Sequence, residues 1–285
     1  MIRTSASMTL TALLTSPRFE TSAMNPLDQD SANVTGVIEP KRFRARPSIP
    51  LFVADWLEVL FLHFEVEAGR LQPFVPFALD LWDGRAFVSL VTFTMRGLRF
   101  ARLGALGAWI CKPIATHAFL NLRTYVCHGD EAGICFLSEW LPNRLSILFG
   151  PLLYALPYRR ASICCRRMGA RLSGCVTTRG GGLRYEGTLS GESFSACEES
   201  SLDQFLLERY TAFNAGHFTA AKLNVARPLF RVTHKPWRQA PAAVLIADDA
   251  LLRVTAPWWQ HVHFVGANYS PGVRDVGMTA PKAIH

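Results

Sequence analysis

RAFVSLVTFTMRGLR, residues Arg85 to Arg99, decides the fold. Apolar side chains alternate with small or polar ones at a period close to two, and Val, Thr and Phe suit extended backbone. The segment predicts one long strand. Upstream, LEVLFLHFEV (Leu57–Val66) is too apolar on both faces for a surface helix and predicts a buried strand. Glu67–Phe74 reads as a short helix closed by Pro73 and Pro76, and Asp83-Gly84 as a turn. Downstream, residues 100–116 have loop character, with Gly104, Gly107 and Pro113. Phe119–His128 and Gly133–Trp140 predict a strand pair joined at Gly129-Asp130, and Pro142–Ala155 has helical spacing. Ala161–Met168, Ala170–Thr178 and Leu183–Ser190 form a meander of short strands.

The remaining segments continue in the same style. Ser200 serves as N-cap of a helix running to Tyr210, with Asp203 in the place of the capping-box acid. His217–Asn224 and Leu229–Lys235 are expected to pair, Gln260–Val265 to close the sheet, and the tail after Gly272 to be loose. About ten short strands with a few short helices predict a mainly β, α+β domain whose antiparallel sheet is a closed or nearly closed barrel. The expected organisation is a disordered leader (1–46), a β domain (47–272) and a flexible tail (273–285).

At 285 residues and 49% hydrophobic, the chain can bury a large core. Seven cysteines without paired spacing point to a reducing, cytoplasmic setting rather than a disulfide framework. Cys164-Cys165 reads either as a redox pair or as inert thiols on opposite strand faces. The longest apolar run, Leu145–Leu156, is well short of the roughly 20 residues of a membrane span, and no membrane partner is expected. From Trp140 to Tyr185 the chain has eight arginines and no Asp or Glu, matching the formal net charge of +8. That window (the 144–184 surface) offers a polyanion or protein-partner reading beside a merely solvated one. It carries no stacking aromatics or nucleic-acid motif, so no nucleic-acid partner is expected.

Six blocks in order resemble the YqjF-like family of uncharacterised proteins: DWLEVLFLHFEV, VPFALDLWDGRAFVSLVTFTMRGLR, LNLRTYV, LPYRRA, LDQFLLERY and THKPW, over a stretch running from about Trp56 to Val265. That family is grouped with acetoacetate decarboxylase, which implies a barrel-like fold around a central cavity. In acetoacetate decarboxylases a Gly-Arg-Glu block precedes Tyr-Pro-Lys-Lys, whose first lysine forms the Schiff base. Here Gly150 and Pro157 match, but Tyr158 falls at the Schiff-base lysine and Arg159 at its neighbour. Imine formation needs a neutral primary amine, which neither phenol nor guanidinium supplies. Schiff-base decarboxylation is therefore not expected, nor is any cofactor.

The cavity implied by the resemblance leaves a set of candidates. Arg159 suits bidentate binding of a carboxylate, enolate or phosphate, and Tyr158 suits donation to an oxyanion or weak acid catalysis. Asn121, Arg123 and Tyr125 share one strand face by alternation, which is either a polar cavity wall or a solvated surface. His63, inside an apolar strand, reads as a hydrogen-bonded core residue or a catalyst. His261 and His263 with His234, Glu58 or Asp248 lack a full ligand pattern, so no metal is expected. Trp237, in His-Lys-Pro-Trp, is expected to pack on the barrel. The resulting expectation is a protein that binds a small organic anion, a keto acid or acyl carboxylate, through Arg123, Tyr158 and Arg159. A rival reading assigns lyase or hydratase chemistry to Tyr158 or His63.

Overall fold

A computed structural model describes residues 49–214 and 227–284. The expected strand His217–Asn224 and the leader 1–46 lie outside them. The first strand, β1 (Pro50–Val66), extends well upstream of the apolar run that announces it. A short helix α1 (Ala68–Leu71), a 3-10 turn and β2 (Ala78–Leu79) lead to β3 (Ala86–Phe100). β4 (His117–His128) and β5 (Glu131–Leu141) form the hairpin through the Gly129-Asp130 turn. Helix α3 (Arg144–Tyr154) follows α2 (Gly104–Cys111) in the chain. β6 (Tyr158–Arg160) precedes the meander, which is β7 (Ser162–Met168), β8 (Arg171–Thr177) and β9 (Gly182–Leu189). Helix α4 (Leu202–Leu207), β10 (Thr211–Phe213), β11 (Arg227–Thr233) and β12 (Ala240–Asp248) come next. Helix α5 (Ala250–Thr255), β13 (His263–Thr279) and β14 (Lys282–Ile284) complete the described chain. No helix among the described residues is long and apolar enough to cross a membrane.

The pairing order β11-β10-β5-β4-β3-β1-β13 returns to its start, because Val232 and Thr233 of β11 pair with Met278 and Gly277 of β13. Most neighbours are antiparallel, while β5 takes β10 and β6 in parallel on its free edge. β12 leaves this ring: Ala240 and Pro241 pair with β13, and the strand then continues against β9, carrying β7 and β8 with it. The main sheet is therefore covered on both faces. Val59, Phe61, Val91 and Phe93 point to one apolar core. Leu60, Leu62, Leu90 and Leu122 point to the other, against Val176, Leu183 and Trp258. This explains why the strand sequences are apolar at nearly every position. Burying each such Leu or Phe contributes about 1.5–3 kcal/mol.

The structure corrects several sequence readings. GALGAWIC is helix α2, not loop; its glycines lower helix propensity. Gly107 is required because a Cβ there would lie 2.9 Å from Leu103 Cβ and 3.0 Å from Phe100 Cβ. Ser201, not Ser200, caps α4, accepting from Gln204 N, while Ser200 takes a left-handed φ of 59°. Gln204 Oε1 reaches back past the cap and accepts from Ser200 N at 2.8 Å. Gln260–Val265 is not one strand: residues Trp259–His261 form a 3-10 turn before β13 begins. The tail beyond Gly272 is not loose, since β13 pairs with β1 up to Thr279 and β14 pairs with β11.

Candidate functional site

The site grows from a register irregularity. On β4, Asn121, Arg123 and Tyr125 do share one face, but β5 opposite them carries a bulge. Leu122 pairs with Ser138 and Arg123 with Phe136, so Leu137 is the extra residue. Without it Phe136 and Glu139, three apart, would face opposite ways; with it both face the Arg123 side. Asn121 pairs directly with Glu139, and Glu139 pairs in turn with Tyr158 of β6. These strands enclose a cavity of ≈ 90 Å³, walled by aromatic rings including Trp56, Phe93, Phe119, Phe230 and Trp237. Its polar lining is Asn121, Arg123, Glu139, Tyr158, Arg209 and His234.

The two arginines differ. Arg209 is fully buried, donating from Nε to Phe205 O at 2.7 Å and from Nη1 to Asp80 Oδ2 at 2.6 Å. Burial lowers its pKa, and the Asp80 carboxylate works against that fall. Arg123 is 7% exposed and donates from Nη2 to Leu206 O at 3.0 Å. Its Nε has no hydrogen-bond partner, and none of the ion pairs among the described residues involves it. The guanidinium lies over the Phe61 and Tyr125 rings, 5.4 and 5.9 Å from their centroids. Arg209 is matched by Asp80, so Arg123 gives the cavity its positive charge.

Three other groups set the proton inventory. Burial lifts the Glu139 carboxyl to about 8, so it is mostly protonated at neutral pH; its Oε2 has no partner. Burial also raises the Tyr158 phenol, and the neighbouring Glu139 adds to the rise, so Tyr158 stays a donor. Its ring rests on Gly150 of α3, where a Cβ would come within 2.1 Å of it. His234 is drawn down to about 4, mainly by burial, and is neutral. Its Nδ1 donates to Lys235 O at 2.7 Å, leaving Nε2 as an acceptor. The imidazole is flanked by Tyr210 and Trp237 at 4.7 and 4.8 Å.

The expected site residues are only partly brought together. Asn121, Arg123 and Tyr158 line the cavity. Arg159 does not: strand alternation turns it away from Tyr158's side and into solvent. Tyr125 lies beneath the site, its hydroxyl bound to Ser89 Oγ and Leu206 O at 2.6 and 3.0 Å. His63 is likewise outside the cavity. Its Nε2 donates to Asn268 Oδ1 at 3.1 Å and its Nδ1 meets Ser89 Oγ at 2.7 Å. Burial lowers its pKa to about 3, so the imidazole is neutral within this core network. Glu139 and His234 were missed as cavity residues. The signal for Glu139 was a lone carboxylate inside the apolar run GICFLSEWL; for His234 there was none beyond the resemblance block.

No lysine lines the cavity among the described residues; Lys112, Lys235 and Lys282 are exposed. His261 and His263 are also exposed, and no group of three or more His, Cys, Asp or Glu stands together among the described residues. Cys164 faces Cys175 across β7 and β8, while Cys165 points the other way and receives Tyr185 Oη at 3.4 Å.

Among solved structures, an acetoacetate decarboxylase-like enzyme from Sphingomonas wittichii RW1 is similar at a TM-score of 0.57 and 18% identity, over 89% of this chain and 100% of that one. The acetoacetate decarboxylase of Legionella pneumophila is similar at 0.58 and 14% identity, over 90% and 98%. The enduracididine biosynthesis enzyme MppR, complexed with pyruvate, is similar at 0.56 and 12% identity, over 83% and 91%. At such identities the likeness is one of fold. By sequence, the uncharacterized protein YqjF of Bacillus subtilis (strain 168) is 31% identical over 185 residues, covering 63% of this chain and 74% of YqjF. The DUF2071 model, described as an uncharacterized conserved protein, matches residues 53–273. The chain thus belongs to the DUF2071 family and carries an acetoacetate decarboxylase-like fold.

Proposed function

We propose that the protein binds a small organic monoanion, a keto acid or acyl carboxylate, in the cavity enclosed by its barrel-like ring, without Schiff-base chemistry. The observation that carries this reading is Arg123: a buried guanidinium facing the cavity, with an unpartnered Nε and no carboxylate of its own. A buried cation without a counter-ion is costly, and a carboxylate ligand removes that cost through charge-assisted hydrogen bonds. Protonated Glu139 and the Tyr158 phenol add neutral donors that suit a second oxygen on the ligand. That MppR is a pyruvate complex on the same fold supports the ligand class. The absence of any amine from the described cavity lining argues against an imine route.

Thermal stabilisation by keto acids, hydroxy acids and short acyl anions tests the reading. A ligand at 100 times its dissociation constant adds about 2.7 kcal/mol to wild type. Arg123→Met is expected to lose that stabilisation, and Arg159→Ala to keep it because Arg159 is outside the cavity. Equal stabilisation of wild type and Arg123→Met would sink the proposal. A second reading, lyase or hydratase chemistry, draws on the two buried acids Glu139 and Tyr158, which pair across β5 and β6. It predicts turnover that Tyr158→Phe abolishes while ligand stabilisation persists.

A further inference from the structure

A second apolar chamber of ≈ 100 Å³ adjoins the first, beneath α3. Met95, Phe119, Leu156, Tyr158, Phe230 and Met278 line both, so only these side chains stand between the two. Leu98, Ile114, Phe149 and Leu153 line this chamber and not the first. No charged residue lines this second chamber; its polar groups are Ser146, Tyr158 and Tyr154, whose hydroxyl is already bound to Thr279 O at 3.0 Å. Phe149 and Leu153 are 46% and 51% exposed, an apolar rim in contact with water. A polar group entering here would gain little and lose its hydration, whereas hydrocarbon would cover the rim and fill the space.

We infer that the ligand is an amphiphile: its carboxylate sits at Arg123 and its hydrocarbon chain passes Tyr158 into the chamber beneath α3. This rests on the anion-binding reading above and specifies the substrate class, straight-chain acyl or oxo acids longer than the first cavity holds. The Tyr158 ring is the partition. It is packed on Gly150 of α3, so a chain passing it lies along that helix.

The test is calorimetric titration with saturated carboxylates from acetate to decanoate. In wild type the dissociation constant is expected to fall about fourfold per methylene once the chain is long enough to pass Tyr158, the factor equivalent to about 0.8 kcal/mol per buried methylene. Leu153→Asp, a substitution at a half-exposed helix position that leaves the Arg123 end intact, is expected to abolish that gain while leaving acetate and butyrate binding unchanged. Arg123→Met is expected to weaken every length. Short acids binding wild type with no gain on lengthening, or a gain that survives Leu153→Asp, would overturn the chamber assignment and leave the anion site standing. Failure of every acid to bind wild type would overturn both.

Discussion

Glu139 is the side chain whose charge decides what the cavity can hold. Its folded pKa of about 8 lies above the ordinary carboxyl value of 4.5 because burial penalises the carboxylate. The stabilisation from keeping the proton is complete below about pH 4.5 and disappears as pH rises through 8. Glu139→Gln keeps the shape without the charge. It should gain on wild type between pH 5 and 8, by up to about 1.4 kcal/mol per pH unit in urea unfolding. An equal gap at both pH values would mean that the carboxyl is hydrated. Carboxylate affinity should also decline above pH 8 in wild type, since ionised Glu139 repels the ligand, and stay level in the Gln variant. At this scale the sequence was a partial guide. Period-two alternation exposed Asn121 and Arg123, but the same rule, applied to Tyr158, shows why neighbouring Arg159 faces solvent. His63 and Tyr125 sit on the correct face yet spend their polar atoms on Ser89, Asn268 and Leu206.

Among the elements, β5 does the most to shape the site. The bulge at Leu137 turns Phe136 and Glu139 to the same side, and no residue type announces it, which is why Glu139 could not be placed from sequence. The neighbouring edge is equally exacting. A Cβ on Gly133 would stand 2.4 Å from Thr211 O, so only glycine lets β10 approach. Gly133→Ala should cost about 1–3 kcal/mol as an overpacked contact. Chemical unfolding measures this, and a loss under 0.5 kcal/mol would mean that β10 is free to shift. Long apolar strands were legible because their composition leaves no alternative. β12 was not: Ala240–Asp248 is rich in alanine and carries Pro241 at its second position, and both residue types are depleted in strands. Helix α2 was hidden by its glycines, one of which exists for packing rather than flexibility.

For the whole molecule, buried titrating groups set the working pH. Burial holds His63, His117 and His234 neutral, at about 3, 4 and 4. Their contribution is present above the ordinary value of 6.5 and is lost as pH falls toward 4. Glu139 acts in the opposite sense, and Glu208, also raised by burial, adds to it. Stability should therefore peak near pH 6.5, fall on the acid side as three histidines charge, and fall more gently toward pH 8. A melting-temperature profile from pH 4 to 9 checks this, and a maximum below pH 5 would contradict it. Truncation after Gly272 should prevent folding, visible as loss of cooperative unfolding, because β13 beyond that point pairs with the start of β1 and with β11. That pairing has a temporal side. Phe61 finds its neighbour in Asn268, so β1 waits for a strand synthesised much later before one of its edges is closed. During synthesis β1 is an apolar strand with an open flank, and this chain's yield in a cell should depend on chaperone capacity more than its final stability would suggest.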